Sequence, residues 1–233
     1  MRTCGVLPVV RAVPDRASGT VADMPNLTPD ELLTTTRAVR KRIDFDRPVS
    51  RELLEECIGI ALQAPSASNS QPWSFVVVTD PAQKAAIGEW YLKSYDAYAQ
   101  ARYDDAGGAL DPTTARMADS ARYLADRFGE IPAMVIPCVE GRLDQRPPEG
   151  QAAGWGSIVQ AGWSFCLAAR SRGLGTCWTT LHLTYEREIA EILGIDYDAV
   201  TQSAILTTGF YTGETFKPAP RGDISNLIHW DRW

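Results

Sequence analysis

The chain is predicted to fold as an α+β domain, and three observations carry that prediction. Its helical and strand-like stretches do not alternate as clean βαβ units, which disfavours a doubly wound parallel sheet. No internal repeat and no linker-like segment interrupts the middle of the 233 residues, so one sizeable core is expected. Hydrophobic residues make up 45% and charged residues 22%, an ordinary globular balance.

The elements follow in order. Residues 1–25, "MRTCGVLPVVRAVPDRASGTVADMP", lack sustained periodicity, and "GVLPVV" is too short and too Pro-broken for a signal peptide. They read as a disordered N-terminal arm, or as a start placed too early with Met24 the natural one, leaving residues 26–233 as the domain. "LTPDELLTTTRAV" offers Thr28 as N-cap, Pro29 at the first helical position and acids in the first turn. "SRELLEECIGIALQA" begins a second helix at Ser50, with Leu53/Leu54, Cys57/Ile58 and Ala61/Leu62 at helical spacing.

"SFVVVTD" is a short β-branched strand, expected to be buried on both faces. Residues 81–128 read as two helices split at "DDAGGALDP", and "PAMVIPCVEG" as a second strand. "AAGWGSIVQAGWSFCLAARSRG" is a helix with almost no polar face before Arg170, so it must be central or buried in a subunit interface. A further helix, "YEREIAEILGI", and a last strand, "QSAILTTGFYTG", complete the chain.

Several function classes are disfavoured. A net charge of −6 gives no basic footprint for nucleic acid or an anionic membrane, and no stretch approaches the ~20 apolar residues of a membrane span. Five cysteines form no C-x-x-C; Cys57, Cys138 and Cys166 sit in apolar patterns, as reduced thiols of a cytoplasmic protein would. With His182 and His229 the sole histidines, no imidazole metal site is expected. P-loop and nucleophile-elbow motifs are absent, and Gly173 in "RGLGTCW" reads as a helix C-cap rather than part of a dinucleotide fingerprint.

What remains is polar and basic. Arg37, Arg40, Lys41 and Arg42 stand at or past the end of the first helix. They complement its dipole or, with Arg37 and Arg40 at i,i+3, form an anion clamp. "FKPAPRGD" supplies a second basic point near the C-terminus. "LQAPSASNSQPWSFVVV", residues 62–78, crowds small uncharged hydrogen-bonding residues before Trp73. Such neutral donors and acceptors suit a flat heterocycle rich in carbonyl and ring-nitrogen groups. The plainer account has Asn69 and Gln71 capping a loop; Trp73 reads as core packing and His182 as structural.

These residues resemble the FMN-dependent nitroreductase family. "TTRAVRKRIDFDRPVSRELLEECIGIALQAPSASNSQPWSFVVVTDP" is similar to its opening, with an arginine-rich helix end and A-P-S-x-x-N-x-Q-P-W before a strand. "SFCLAARSRGLGTCWTTLHL" and "FKPAPRGDISNLIHW" resemble its later helix-Gly-Leu-Gly element and closing basic segment.

The resemblance implies a central, mostly antiparallel sheet surrounded by helices, in an intertwined homodimer with FMN at the interface. It implies cofactor contacts from Arg37, Ala38 and Arg40, and from Pro65, Ser66, Asn69 and Gln71, the last four supplied by either chain. Thr179, Thr180 and Leu181 would lie beside the flavin, and Arg221, with Lys217, would meet the phosphate. Ala38 departs from the family's usual Ser, so one hydrogen bond is missing; the family's aromatic two residues after the last arginine is also displaced, since Arg42 and Ile43 precede Phe45, which leaves the register of the arginine ligands open.

The implied activity is ping-pong hydride transfer from NADH or NADPH, by way of flavin N5, to a planar acceptor such as a nitroaromatic or quinone, with no protein side chain required as the catalyst. Dehalogenation or flavin cleavage on the same scaffold, or flavin storage without turnover, are the alternatives. The tyrosines of residues 81–128 (Tyr91, Tyr95, Tyr98, Tyr103 and Tyr123) read equally as a lid over the acceptor pocket or as interhelical packing.

Overall fold

The computed structural model describes residues 26–233, so the expectation for residues 1–25 lies outside it. Six helices, α1 (Pro29–Thr35), α2 (Arg51–Ala61), α3 (Pro81–Asp105), α4 (Pro112–Asp126), α5 (Pro148–Arg170) and α6 (Glu186–Leu193), surround five strands. These are β1 (Trp73–Val78), β2 (Ala133–Glu140), β3 (Leu174–Thr179), β4 (Val200–Gln202) and β5 (Ile205–Phe210). The strand order is β1-β2-β5-β3, with β4 also on β2, and every pairing is antiparallel. The antiparallel α+β sheet expected from the sequence is therefore present.

Local chemistry starts the helices where the sequence places them. Thr28 and Glu31 close a capping box on α1, Ser50 caps α2, and Pro29, Pro81, Pro112 and Pro148 occupy first-turn positions. The break between α3 and α4 falls at Gly107 and Gly108, both at positive φ. Gly173, at φ +76 with its amide on the Arg170 carbonyl, ends α5 as the C-cap reading requires.

β2 organises the core by its two-residue period. Met134, Ile136 and Cys138 face one layer with Tyr91, Leu124, Phe128 and Ile189 of the α3, α4 and α6 side. Ala133 and Val135 face the other, with Leu54, Cys57, Phe165 and Leu206. Trp73 packs on a smaller cluster of Val139, Leu143 and Ile158, the core role expected of it.

Two strand expectations are corrected, and one strand is added. β1 is an edge strand with Ser74 and Val77 exposed, so it is not buried on both faces: its outer side has no partner strand among the described residues. The last strand is two, β4 and β5, broken at Ser203–Ala204. Residues 174–179, to which the sequence assigns no element, form strand β3 at the opposite edge.

α5 is covered on one face alone. Ile158, Ala161, Phe165 and Ala169 are buried, whereas Val159 and Trp163 stand 44% and 42% exposed. Ile60, Leu62 and Leu33 are exposed apolar residues as well. No helix among the described residues is long and apolar enough to cross a membrane.

Candidate functional site

The site is built along the free edge of β3. The hydroxyls of Thr34, Thr35 and Thr36 each donate back to the carbonyls of Asp30, Glu31 and Leu32 at 2.6 Å, and three successive β-branched residues end α1 there. Thr36 is already extended, at φ −70 and ψ 117. Residues 37–39 then run beside β3: the Val39 amide donates to the Thr176 carbonyl at 2.8 Å, and Ala38 bridges Thr176 in parallel. A Cβ at Gly175 would lie 2.9 Å from Val39 Cβ, so the absence of a side chain there lets this segment approach. The spacing predicts Arg37 and Arg40 on one helix face; the structure instead puts them on this extended segment, because α1 stops two residues short of Arg37.

The C-terminal segment closes over the same place. Asp44 donates to the Phe210 carbonyl and Thr212 to the Arg42 carbonyl, both at 2.8 Å. Arg37 Nη1 donates to the Lys217 carbonyl at 2.9 Å, which joins the two basic stretches that the sequence separates by 180 positions. Arg42 clamps the segment further, donating to the carbonyls of Thr212 and Thr215 at 2.6 and 2.9 Å with its guanidinium 4.1 Å from the Phe216 ring centroid. Below it Arg170, 3% exposed, lies over the Tyr211 and Phe216 rings and donates to the Tyr211 hydroxyl. Arg221 is exposed and bonds the Pro220 carbonyl.

Arg37, Arg40, Arg42, Lys217 and Arg221 make no ion pair with a carboxylate among the described residues; neighbouring Lys41 does, with Asp119. A set of cations left unneutralised by the protein is the chemistry that accepts a phosphate. Arg40 turns inward instead, its guanidinium against the Cys177 thiol.

At the end of β3 the backbone turns. Thr179 Oγ1 and the Tyr91 hydroxyl lie 2.9 Å apart, and Ser94 Oγ donates to the Leu181 carbonyl at 2.7 Å, so α3 pins both ends of the 179–181 stretch. Burial pushes Tyr91 up to about 12, which keeps its hydroxyl protonated. His182 is wholly buried, neither ring nitrogen has a partner, and desolvation lowers it to about 3. A side chain held neutral and enclosed is structural, as expected of it.

The loop of residues 65–71 lies apart. Ser68, Asn69 and Gln71 have φ of 52, 52 and 47, left-handed conformations that cost non-glycine residues energy. Ser66 does the backbone capping, its Oγ accepting the Gln71 amide at 3.1 Å, and Ser157 of α5 accepts the Ala67 amide at 3.0 Å. Asn69 and Gln71 bond each other at 3.2 Å and remain exposed, so they are not the loop's caps. Pro65 lines a cavity with Leu32, Ile60 and Leu167. No hydrogen bond joins this loop to Arg37, Arg40 or residues 179–181 within the described chain.

Sequence reasoning missed Ser94, which holds the turn with Tyr91, and the role of Arg170, which holds the C-terminal segment with Arg42; it named Tyr91 and Arg42, but as a lid or packing residue and as part of the basic cluster. The tyrosines of α3 and α4 divide. Tyr91 stacks on Phe128 at 3.7 Å and Tyr95 bonds the Ala118 carbonyl, so both are packing residues, whereas Tyr98 and Tyr103 are about half exposed.

Fold and site together define a flavoprotein-like α+β enzyme scaffold of one family. The model of the nitroreductase family matches residues 34–210, and the chain belongs to that family. The NADH dehydrogenase of Thermus thermophilus is 30% identical over 198 residues, covering 78% of this chain and 87% of that protein. The 4-nitrobenzoate reductase of Pseudomonas putida is 45% identical over 197 residues, covering 72% and 78%. The solved structure of the FMN and NADPH-dependent nitroreductase NfnB from sphigopyxis sp. strain HMH has a TM-score of 0.64 to this chain, covering 89% of it and all of that chain at 24% identity; that likeness speaks to the fold.

Proposed function

We propose that the chain is an FMN-dependent oxidoreductase that passes reducing equivalents from NADH or NADPH to a small planar acceptor, such as a nitroaromatic or a quinone. The observation that carries this reading is the meeting of Arg37 with the Lys217 stretch beside β3, which brings together two basic stretches whose cations make no ion pair with a carboxylate among the described residues. When bound, FMN would supply the two-electron carrier, at its N5.

The chain's residues would do the rest. Arg37 and Arg221, with Lys217, hold the phosphate. Arg40 and the backbone of Ala38 meet the flavin edge, and Thr179, Thr180 and Leu181 lie beside the ring, fixed by Tyr91 and Ser94. Pro65, Ser66, Asn69 and Gln71 come from a second copy of the chain. Two features support that: the strained polar loop makes no hydrogen bond to Arg37, Arg40 or residues 179–181 among the described residues, and the apolar faces of α5 and α2 stand uncovered. Neither His182 nor Tyr91 changes its protonation state near neutrality, which suits hydride chemistry that needs positioning rather than a base. Buried thiols at Cys57, Cys138 and Cys166, pushed up to about 12, 12 and 11, suit a reducing cytoplasm.

An absorption spectrum of the purified protein, followed by anaerobic NADH and then NADPH, tests this. Flavin bands that bleach support the reading and name the donor. Flavin bands that neither donor bleaches favour storage. Protein that stays colourless after incubation with FMN overturns it.

A further inference from the structure

Between α3 and α4 lies a cavity of about 250 Å³, lined by Arg40, Tyr95, Tyr98, Arg102, Leu110 and Met117 among others. Sites for drug-sized ligands run from roughly 300 Å³ upward, so this one suits a single substituted ring. Its lining contains two arginines, two tyrosines and a methionine, and no carboxylate. The arginines differ. Arg40 lies beside the Cys177 thiol of β3 and is the residue assigned above to the flavin edge. Arg102, at the end of α3, makes no ion pair and no side-chain hydrogen bond among the described residues.

The acids near Arg102 do not claim it. Asp105 and Asp111 line the recess on its other side. Asp111 is spent on α4, accepting the amides of Thr113 and Thr114 and the Thr114 hydroxyl. Asp104 accepts from Gln100 at 2.9 Å. The cavity mouth also leaves Tyr98 48% and Met117 57% exposed, an aromatic and a thioether surface suited to an aromatic face.

We infer that this cavity is the acceptor subsite and that it selects an aromatic ring bearing a carboxylate, with Arg102 as the specificity-determining residue and Tyr98 and Met117 flanking the ring. The inference rests on the oxidoreductase reading for the word acceptor, since it places the ring next to Arg40. The planar guanidinium fork of Arg102 matches a carboxylate in two-point contact, and the carboxylate's full negative charge makes that contact stronger than a neutral nitro or ester group can.

Calorimetric titration of the full chain with 3-nitrobenzoate and with its methyl ester separates the outcomes. In the wild type the acid is expected to bind about fivefold to tenfold tighter than the ester, the modest ratio of a solvent-screened ion pair. Arg102→Gln brings that ratio to about one and Arg102→Glu reverses it. Raising the salt from roughly 0.02 to 0.5 M shrinks the wild-type ratio. A wild type that does not prefer the acid, or a preference that survives Arg102→Gln, overturns the subsite. The flavin spectrum of the same samples is read alongside. Flavin-loaded protein without acid preference rejects the subsite alone, and colourless protein that still prefers the acid rejects the flavin reading alone.

Discussion

The Tyr91 hydroxyl meets Thr179 Oγ1 at 2.9 Å while the Tyr91 ring stacks on Phe128 at 3.7 Å, so one side chain of α3 joins the core to the end of β3. Tyr91→Phe keeps the stack and removes the bond. It is expected to cost about 1 kcal/mol in urea unfolding, with Thr179 left without its partner. If the bond fixes the 179–181 turn for cofactor, FMN affinity falls several-fold in a fluorescence titration. Unchanged affinity would detach Tyr91 from the site.

Arg37 and Arg221 are both exposed, yet each lacks a carboxylate partner, and the backbone contact of Arg37 with Lys217 brings the two basic stretches together. Replacing both by Ala should weaken FMN binding at least about tenfold, with little change in the unfolding midpoint, because neither side chain supports the core. Unchanged FMN affinity would show the phosphate assignment to be wrong.

The Arg142 and Glu186 side chains are 8% and 10% exposed and pair in two-point contact, with Arg142 Nη1 and Nη2 each 2.9 Å from a Glu186 oxygen. Glu186 Oε1 also accepts the Gln202 amide at 2.8 Å, tying α6 to β4. Arg142→Ala therefore strands a buried carboxylate and should cost about 3–5 kcal/mol. The double change Arg142→Met with Glu186→Leu should cost less than the single one. The opposite order in urea unfolding would show that the pair is not what holds this corner.

Legibility in the sequence followed how local the cause was. Thr28, Ser50, Pro81, Pro112 and Gly173 act on their own turns, and each marks its boundary in the chain. Arg37, Asn69, Gln71 and Arg221 could be singled out as candidates because they sit in motif-like spacing. Their geometry was not legible. The end of α1 depends on three threonine hydroxyls folding back, and the path of Arg37 to Val39 on a glycine in a strand 136 positions later. β3 itself was hidden: "LGTCWT" lacks a clear alternation, and its strand state comes from pairing with β5. The edge position of β1 is likewise a property of the sheet, which a run of valines does not encode.

The loop stores strain that its function would explain. Ser68, at φ 52, has an exposed side chain, so Ser68→Gly should relieve the left-handed conformation and raise stability by about 0.5–1 kcal/mol. Asn69→Gly should stabilise similarly but weaken FMN binding, since it removes the side chain assigned to the cofactor. Equal effects of the two changes on FMN would show that Asn69 contributes through backbone alone.

His182 makes stability depend on pH in a definite direction. Its pKa in the folded chain is lowered to about 3 from an ordinary 6.5, by burial, with no acceptor or donor opposite either nitrogen. Below about pH 6.5 the unfolded chain binds a proton at this residue and the folded chain does not, so stability is full above pH 6.5 and falls as the pH drops toward 3. One pH unit below 6.5 the loss is about 1.4 kcal/mol. The carboxyls of Glu31, Asp111 and Asp223 are held below the usual range by hydrogen bonds to their capping partners. Urea unfolding at pH 7.5 and 5.5 should therefore show the drop in the wild type and a much flatter response in His182→Phe. Equal pH dependence in both proteins would mean that the imidazole reaches water or a partner when the chain is folded.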